Sequence, residues 1–116
     1  MSVGLDLKRF QNFKDAEFRS IEILSPTDIK LTFGIQDASR EFDWITLVLE
    51  FSGVCEAKLV DQDKLSFIDM SDGATLLKEN DGKFAFGISE CYNINSIKTS
   101  VCYIIATGLK YYESEF

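Results

Sequence analysis

The run Trp44-Ile45-Thr46-Leu47-Val48-Leu49-Glu50-Phe51 limits what this chain can become more than any other feature. Seven of its eight residues are β-branched, aromatic or leucine, and Glu50 carries its only charge. Side chains of this kind pack on a pleated surface, so the run reads as a central, well-buried strand. Ile45, Leu47, Leu49 and Phe51 share one face. Trp44, Thr46 and Val48 share the other, which implies partial cover on both sides.

Other stretches repeat the pattern. Glu17 to Leu24 and Asp28 to Phe33 flank the turn Ser25-Pro26-Thr27 and read as a hairpin, with Ile29, Leu31 and Phe33 on one face. Gln36 to Glu41 is a polar loop. Ser52-Gly53 interrupts the central run before Val54 to Val60 resumes extended structure, which leaves a bulge or a turn open at that point. Ala74 to Lys78 and Lys83 to Ser89 bracket Glu79-Asn80-Asp81-Gly82, a strong hairpin signal because both central residues of a tight turn need positive φ. Ser96 to Lys110 reads as a long final strand, in which Val101, Tyr103 and Ile105 oppose Cys102, Ile104 and Ala106. Residues 111–116 read as a frayed or lightly docked tail. A short helix over Asp6 to Gln11 is weakly signalled, because one and a half turns barely nucleate. The expected class is all-β, with α+β the fallback: an antiparallel sandwich or strongly curved sheet of about seven strands with at most one short N-terminal helix.

At 116 residues, 46% of them hydrophobic and ten of them phenylalanine, the chain holds material for one core and reads as a single domain over 1–116. Charges occupy the N-terminus where a signal peptide needs an apolar core. The longest nearly apolar run, Val101 to Leu109, is about half of what a membrane-spanning helix requires. The expectation is a soluble cytoplasmic protein that does not enter a membrane. Cysteines 55, 91 and 102 each have apolar neighbours and read as free, buried thiols in a reducing compartment.

Histidine is absent. Its absence removes Ser-His-Asp and Cys-His nucleophilic catalysis and histidine-containing zinc sites. Asp61 to Asp72 holds four aspartates but fails as a calcium loop: the third ligand and the glycine at the sixth position are missing, and Asp72 stands where a bidentate glutamate belongs. No cofactor or metal is implied, and the chain reads as a non-enzyme.

The formal charge is −7. Residues 41–72 carry eight acids against Lys58 and Lys64, so nearly all of that charge comes from the middle third. One reading is a solvated acidic edge that keeps the protein soluble. The sharper one is a surface shaped for a basic partner, where complementary charge speeds encounter and rejects wrong partners. Direct binding to nucleic acid is disfavoured, because an acidic chain is repelled by phosphate.

Phe13-x-Asp15-Ala16, Ile45-Thr46-Leu47-x-Leu49-x-Phe51-x-Gly53-Val54 and the acidic, strand-rich body together resemble the small bacterial immunity proteins that accompany polymorphic toxins, including those of contact-dependent growth inhibition systems. The resemblance implies a cytoplasmic antidote that binds one cognate toxin domain, often a basic nuclease, and blocks its active site. It transfers no residue by motif. The residues assigned to such a surface are Glu41, Asp43, Trp44, Glu56, Asp61, Asp63, Phe67, Asp69, Met70 and Asp72, with Trp44, Phe67 and Met70 as apolar anchors. The alternative is a small-molecule-binding β-sandwich or barrel with an internal apolar cavity. A third reading is self-association through an exposed strand edge at Val101 to Leu109.

Overall fold

A computed structural model describes residues 7–68, 70–79, 81–89 and 93–115. Six antiparallel strands form one sheet: β1 (Glu17–Ser25), β2 (Asp28–Asp37), β3 (Asp43–Lys58), β4 (Ala74–Lys78), β5 (Phe84–Ile88) and β6 (Tyr103–Glu115). Their spatial order is β1-β2-β3-β6-β5-β4. The all-β, curved-sheet expectation holds, with six strands among the described residues in place of about seven. The short helix lies elsewhere than expected. Leu7–Phe13 is a broken 3-10 segment whose Gln11, Asn12 and Phe13 take left-handed backbone angles, and Asp6 falls outside the described residues. The α-helix found is α1 (Ile94–Lys98), capped by the Asn93 side chain, which accepts from Ser96 N at 2.9 Å. No helix among the described residues is long and apolar enough to cross a membrane.

β3 is the axis, as its composition requires. It pairs with β2 from Ile29↔Phe51 to Asp37↔Asp43 and with β6 from Ile45↔Glu115 to Lys58↔Tyr103. Ile45, Leu47, Leu49 and Phe51 are buried on one face together with Ile29, Leu31, Phe33 and Ile35 of β2. Beyond Phe51 the parity reverses. In the second half of the sheet the core side chains are Ile104 and Ala106 of β6 and Phe84, Phe86 and Ile88 of β5. A register shift, a bulge, comes between Val54 and Glu56, and the reversal falls just before it, at Ser52-Gly53 on β3 and at Thr107-Gly108 on β6, where the pairing keeps its register. Gly53 sits there at φ +63°, and a Cβ on it would collide with the Thr107 hydroxyl, as one on Gly108 would with Ser52 Oγ. The Ser52-Gly53 break is therefore a kink inside one long strand, just ahead of the bulge between Val54 and Glu56, and together they fold the sheet over on itself.

Aromatic rings register the fold-over. Phe33 of β2 and Phe86 of β5 stand three strands apart in the sheet, about 14 Å if it were flat. Their ring centroids are 6.3 Å apart. Phe13, fully buried, fills the mouth between them at 5.0 Å from Phe33 and 5.9 Å from Phe86.

Three further expectations are corrected. The final strand begins at Tyr103, because Asn93 starts a helical turn that Ser100 closes by donating to Ile97 O at 2.7 Å. Tyr111 to Glu115, expected as a loose tail, pairs with Ile45 to Leu49 of β3; Phe116 is outside the described residues. Tyr103 to Ala106 is paired on both sides, by β3 and by β5, so this part of the Val101–Leu109 run is no open edge.

Candidate partner-binding surface

The β2–β3 connection is built rigidly. Asp37, fully buried, receives Arg40 at 3.3 Å, and Arg40 also reaches Glu113 of β6 at 3.5 Å. Phe42 N donates to Asp37 O at 2.9 Å, and Gln36 Nε2 donates to Phe42 O at 3.2 Å. Glu41 and Phe42 are consecutive residues at φ +58° and +65°. Left-handed backbone costs non-glycine residues roughly 1–2 kcal/mol each, so the surrounding bonds must hold them there. What this strained turn presents is Glu41, Phe42, Asp43 and Trp44, all exposed, an acid-aromatic-acid-aromatic tip. Phe42 is 53% exposed and Trp44 43%.

Trp44 also walls an open groove of about 710 Å³ that runs between the start of β1 and the 3-10 segment Gln62–Phe67. Asp15, Glu17, Phe18 and Arg19 line one side, Leu65, Ile68 and Met70 the other. Asp15 is held at φ +59° by its N–H, which donates to Met70 O at 2.8 Å. Arg19 lies flat over Gly34, with Nε 3.2 Å from Glu17 and Nη1 donating to Thr46 Oγ1 at 3.2 Å.

The residues assigned from sequence are thus divided. Glu41, Asp43 and Trp44 come together at the tip. Asp61, Asp63 and Asp72 are exposed on or beside the 3-10 segment, whose Phe67 projects into solvent at 84% exposure. Asp69 lies outside the described residues. Two of the assigned residues stand apart from the others. Met70 is only 7% exposed, packed in the core with its carbonyl bonded to both Asp15 N and Gly73 N, so it can form groove floor but not a projecting anchor. Glu56 sits near the opposite end of β3 from Trp44 and is already engaged: it accepts from Tyr103 OH at 2.6 Å and pairs with Lys98 at 3.3 Å. The Tyr103 hydrogen bond, helped by Lys98 and opposed by desolvation, holds the Glu56 carboxyl below its ordinary value, and the same bond raises the Tyr103 phenol. Glu56 belongs to a second, mixed-charge groove of about 450 Å³ with Cys55, Glu79, Asp81, Lys83 and Lys98.

Cys55 is exposed there, contrary to the buried-thiol expectation, because it lies beyond Gly53, where the strand's faces reverse, and within the register shift between Val54 and Glu56. Cys102 is buried as expected, and Cys91 is outside the described residues. Phe42, Asp15 and Glu17 were missed. For Phe42 a signal existed, the acid-aromatic alternation across a turn; for Asp15 and Glu17 there was none, since only the packing of residues 62–71 against β1 makes them groove walls.

The fold and surface define a small β-protein with exposed aromatic side chains set among carboxylates. Comparison with protein-family models, curated proteins and solved structures finds no match to the chain.

Proposed function

We propose that this chain is a non-enzymatic immunity protein, one that binds a cognate protein toxin, a basic nuclease domain, and covers its active site. The observation that carries the reading is the set of exposed aromatics, Phe42, Trp44 and Phe67, accompanied by Glu41, Asp43 and Asp63. The part of a large aromatic side chain left in water adds little to the monomer, and such side chains dominate binding energy when a partner desolvates them. The carboxylates around them steer a cationic partner and set its register. A nuclease must itself be electropositive to hold phosphate, so an acidic cover competes directly with its substrate.

The test is co-production of the chain with the C-terminal domain encoded by the neighbouring upstream gene. The expected result is restored growth and a one-to-one complex, with Trp44→Ala and Phe42→Ala together weakening it by about a hundredfold or more, the scale of two anchor residues. No rescue and no complex at either low or moderate salt abandons the proposal.

A further inference from the structure

The groove beside Trp44 has a chemistry that specifies its occupant. Its floor and far wall are apolar, from Phe18, Leu65, Ile68 and Met70, and its mouth carries the exposed carboxylates of Asp15 and Glu17. Arg19, the cation among the lining residues, is already bonded to Glu17 and Thr46 and lies down on the sheet. Asp15 has no ion pair or side-chain hydrogen bond among the described residues, yet its backbone is fixed in a left-handed conformation at the groove's rim. Strain of that kind persists only where the surroundings enforce it, and it places a carboxylate without an ion pair in the same groove that Trp44 lines. Among the lining residues Asp15 and Glu17 outnumber Arg19, so the lining carries a net negative charge, while of the flanking residues Asp43 and Asp72 are offset by Lys14 and Lys64.

We propose that this groove receives a lysine or arginine side chain from a basic segment of the partner protein. Its aliphatic stem lies on Leu65, Ile68 and the Trp44 ring, and its charged end meets Asp15. A long cationic side chain matches both halves of the groove, since its stem is apolar and its head is attracted by carboxylates and by an indole face. A purely apolar segment leaves Asp15 desolvated and unpaired, and an acidic one is repelled. The inference rests on the binding role proposed above and adds the chemistry of the contact.

Trp44 is the only tryptophan, so its emission reports on this groove and the adjoining tip, and the Asp15 variant separates the two. The probe is the blocked hexapeptide acetyl-LRIKLR-amide, titrated at low salt against acetyl-LEIELE-amide. A saturable change with the basic peptide alone is expected, weakened about fivefold by Asp15→Asn, the scale of one exposed charge pair. Glu79→Gln, in the second groove, leaves it unchanged. Asn tolerates the left-handed backbone, so Asp15→Asn keeps the fold, which circular dichroism verifies. Equal binding of the acidic peptide, indifference to Asp15→Asn, or no saturable change overturns the inference. If the peptide fails while the toxin complex and growth rescue stand, the groove chemistry falls and the immunity reading survives. If the peptide binds but no toxin complex forms, the reverse holds.

Discussion

The fold-over of the sheet predicts a measurable coupling between two strands that do not touch in the hydrogen-bond ladder. Phe33 and Phe86 are both fully buried, and their rings meet edge-on at 6.3 Å, near the far limit for an aromatic pair. That direct contact is worth about 0.5 kcal/mol beyond area burial. Both also pack on Phe13, at 5.0 and 5.9 Å, so losing either ring loosens the plug that the other holds, which adds a similar amount. Replacing each by leucine trims the ring without emptying the site and costs roughly 1–2 kcal/mol, less than the 3–5 of truncation to alanine. In the double variant the second loss is smaller by about 1 kcal/mol, because the shared contact is already gone. Urea denaturation followed by far-ultraviolet circular dichroism reads this directly: each single variant lowers the midpoint by about 0.5–1 M for a slope near 2 kcal/mol/M. Losses that add to within about 0.3 kcal/mol mean that the two halves of the sheet pack independently, and the folded-over description fails.

Gly53→Ala places a Cβ into the Thr107 hydroxyl on a backbone at φ +63°; it costs roughly 1–3 kcal/mol, a fall in melting temperature of about 5–15 °C, and an unchanged melt refutes the close approach at the kink. Tyr103→Phe removes the largest cause of the lowered Glu56 pKa. A lowered carboxyl stabilises the fold above its ordinary value of 4.5 and loses that contribution as pH falls through the folded value, so the stability gap between Tyr103→Phe and wild type is full at neutral pH and closes in acid. The raised Tyr103 phenol acts in the opposite sense, its contribution being lost as pH rises through its folded pKa; a pH-independent gap in thermal melts from pH 3 to 11 contradicts both. Burial pushes the Cys102 thiol up to about 11, so in the native protein at pH 8 a thiol reagent labels Cys55 and spares Cys102 until unfolding, as peptide mapping by mass will show, and equal rates refute the burial. For the toxin complex, the association rate falls by about tenfold or more between roughly 10 and 300 mM salt while dissociation changes little, and a salt-independent rate removes the steering argument.

How much of this was legible in the chain divides along a physical line. Periodicity located β3, its odd-numbered buried face, the alternation of Tyr103 to Ala106 and the Asp81-Gly82 hairpin, because those features follow from local side-chain pattern and turn chemistry. Periodicity could not see that the buried face changes parity at Gly53. The kink at Gly53 and the register shift between Val54 and Glu56 re-aim the strand, which is why Cys55 faces solvent. In the aperiodic stretch 61–72, Phe67 and Met70 are equivalent by composition, and only tertiary contacts decide that one projects and the other is buried. The helical turn at Ile94–Lys98 was signalled by Asn93 with Ser96 three residues on, but an apolar run after it invited a longer strand. The left-handed residues Gln11, Phe13, Glu41 and Phe42 carry no glycine to announce them; their conformations are imposed by packing and by bonds to distant residues.

The division of the acidic residues sharpens what the charge can do. A net of −6 over residues 41–72 reads, from sequence, as one surface, yet Glu56 is committed to Tyr103 and Lys98 near the far end of β3. What remains for the proposed partner is Glu41 and Asp43 at the tip and Asp61, Asp63 and Asp72 on or beside the 3-10 segment, joined by Asp15 and Glu17 at the groove. Diffuse charge raises encounter rates without fixing an orientation, whereas carboxylates on backbone held at strained angles define one. Glu41 and Asp15 are both held this way, at φ +58° and +59°, and each is close in sequence to a side chain that a partner would bury: Phe42 for one, Phe18 and the groove for the other. On the proposed binding role, the recognition surface is set by where the fold tolerates strain, and only secondarily by where the sequence is most acidic.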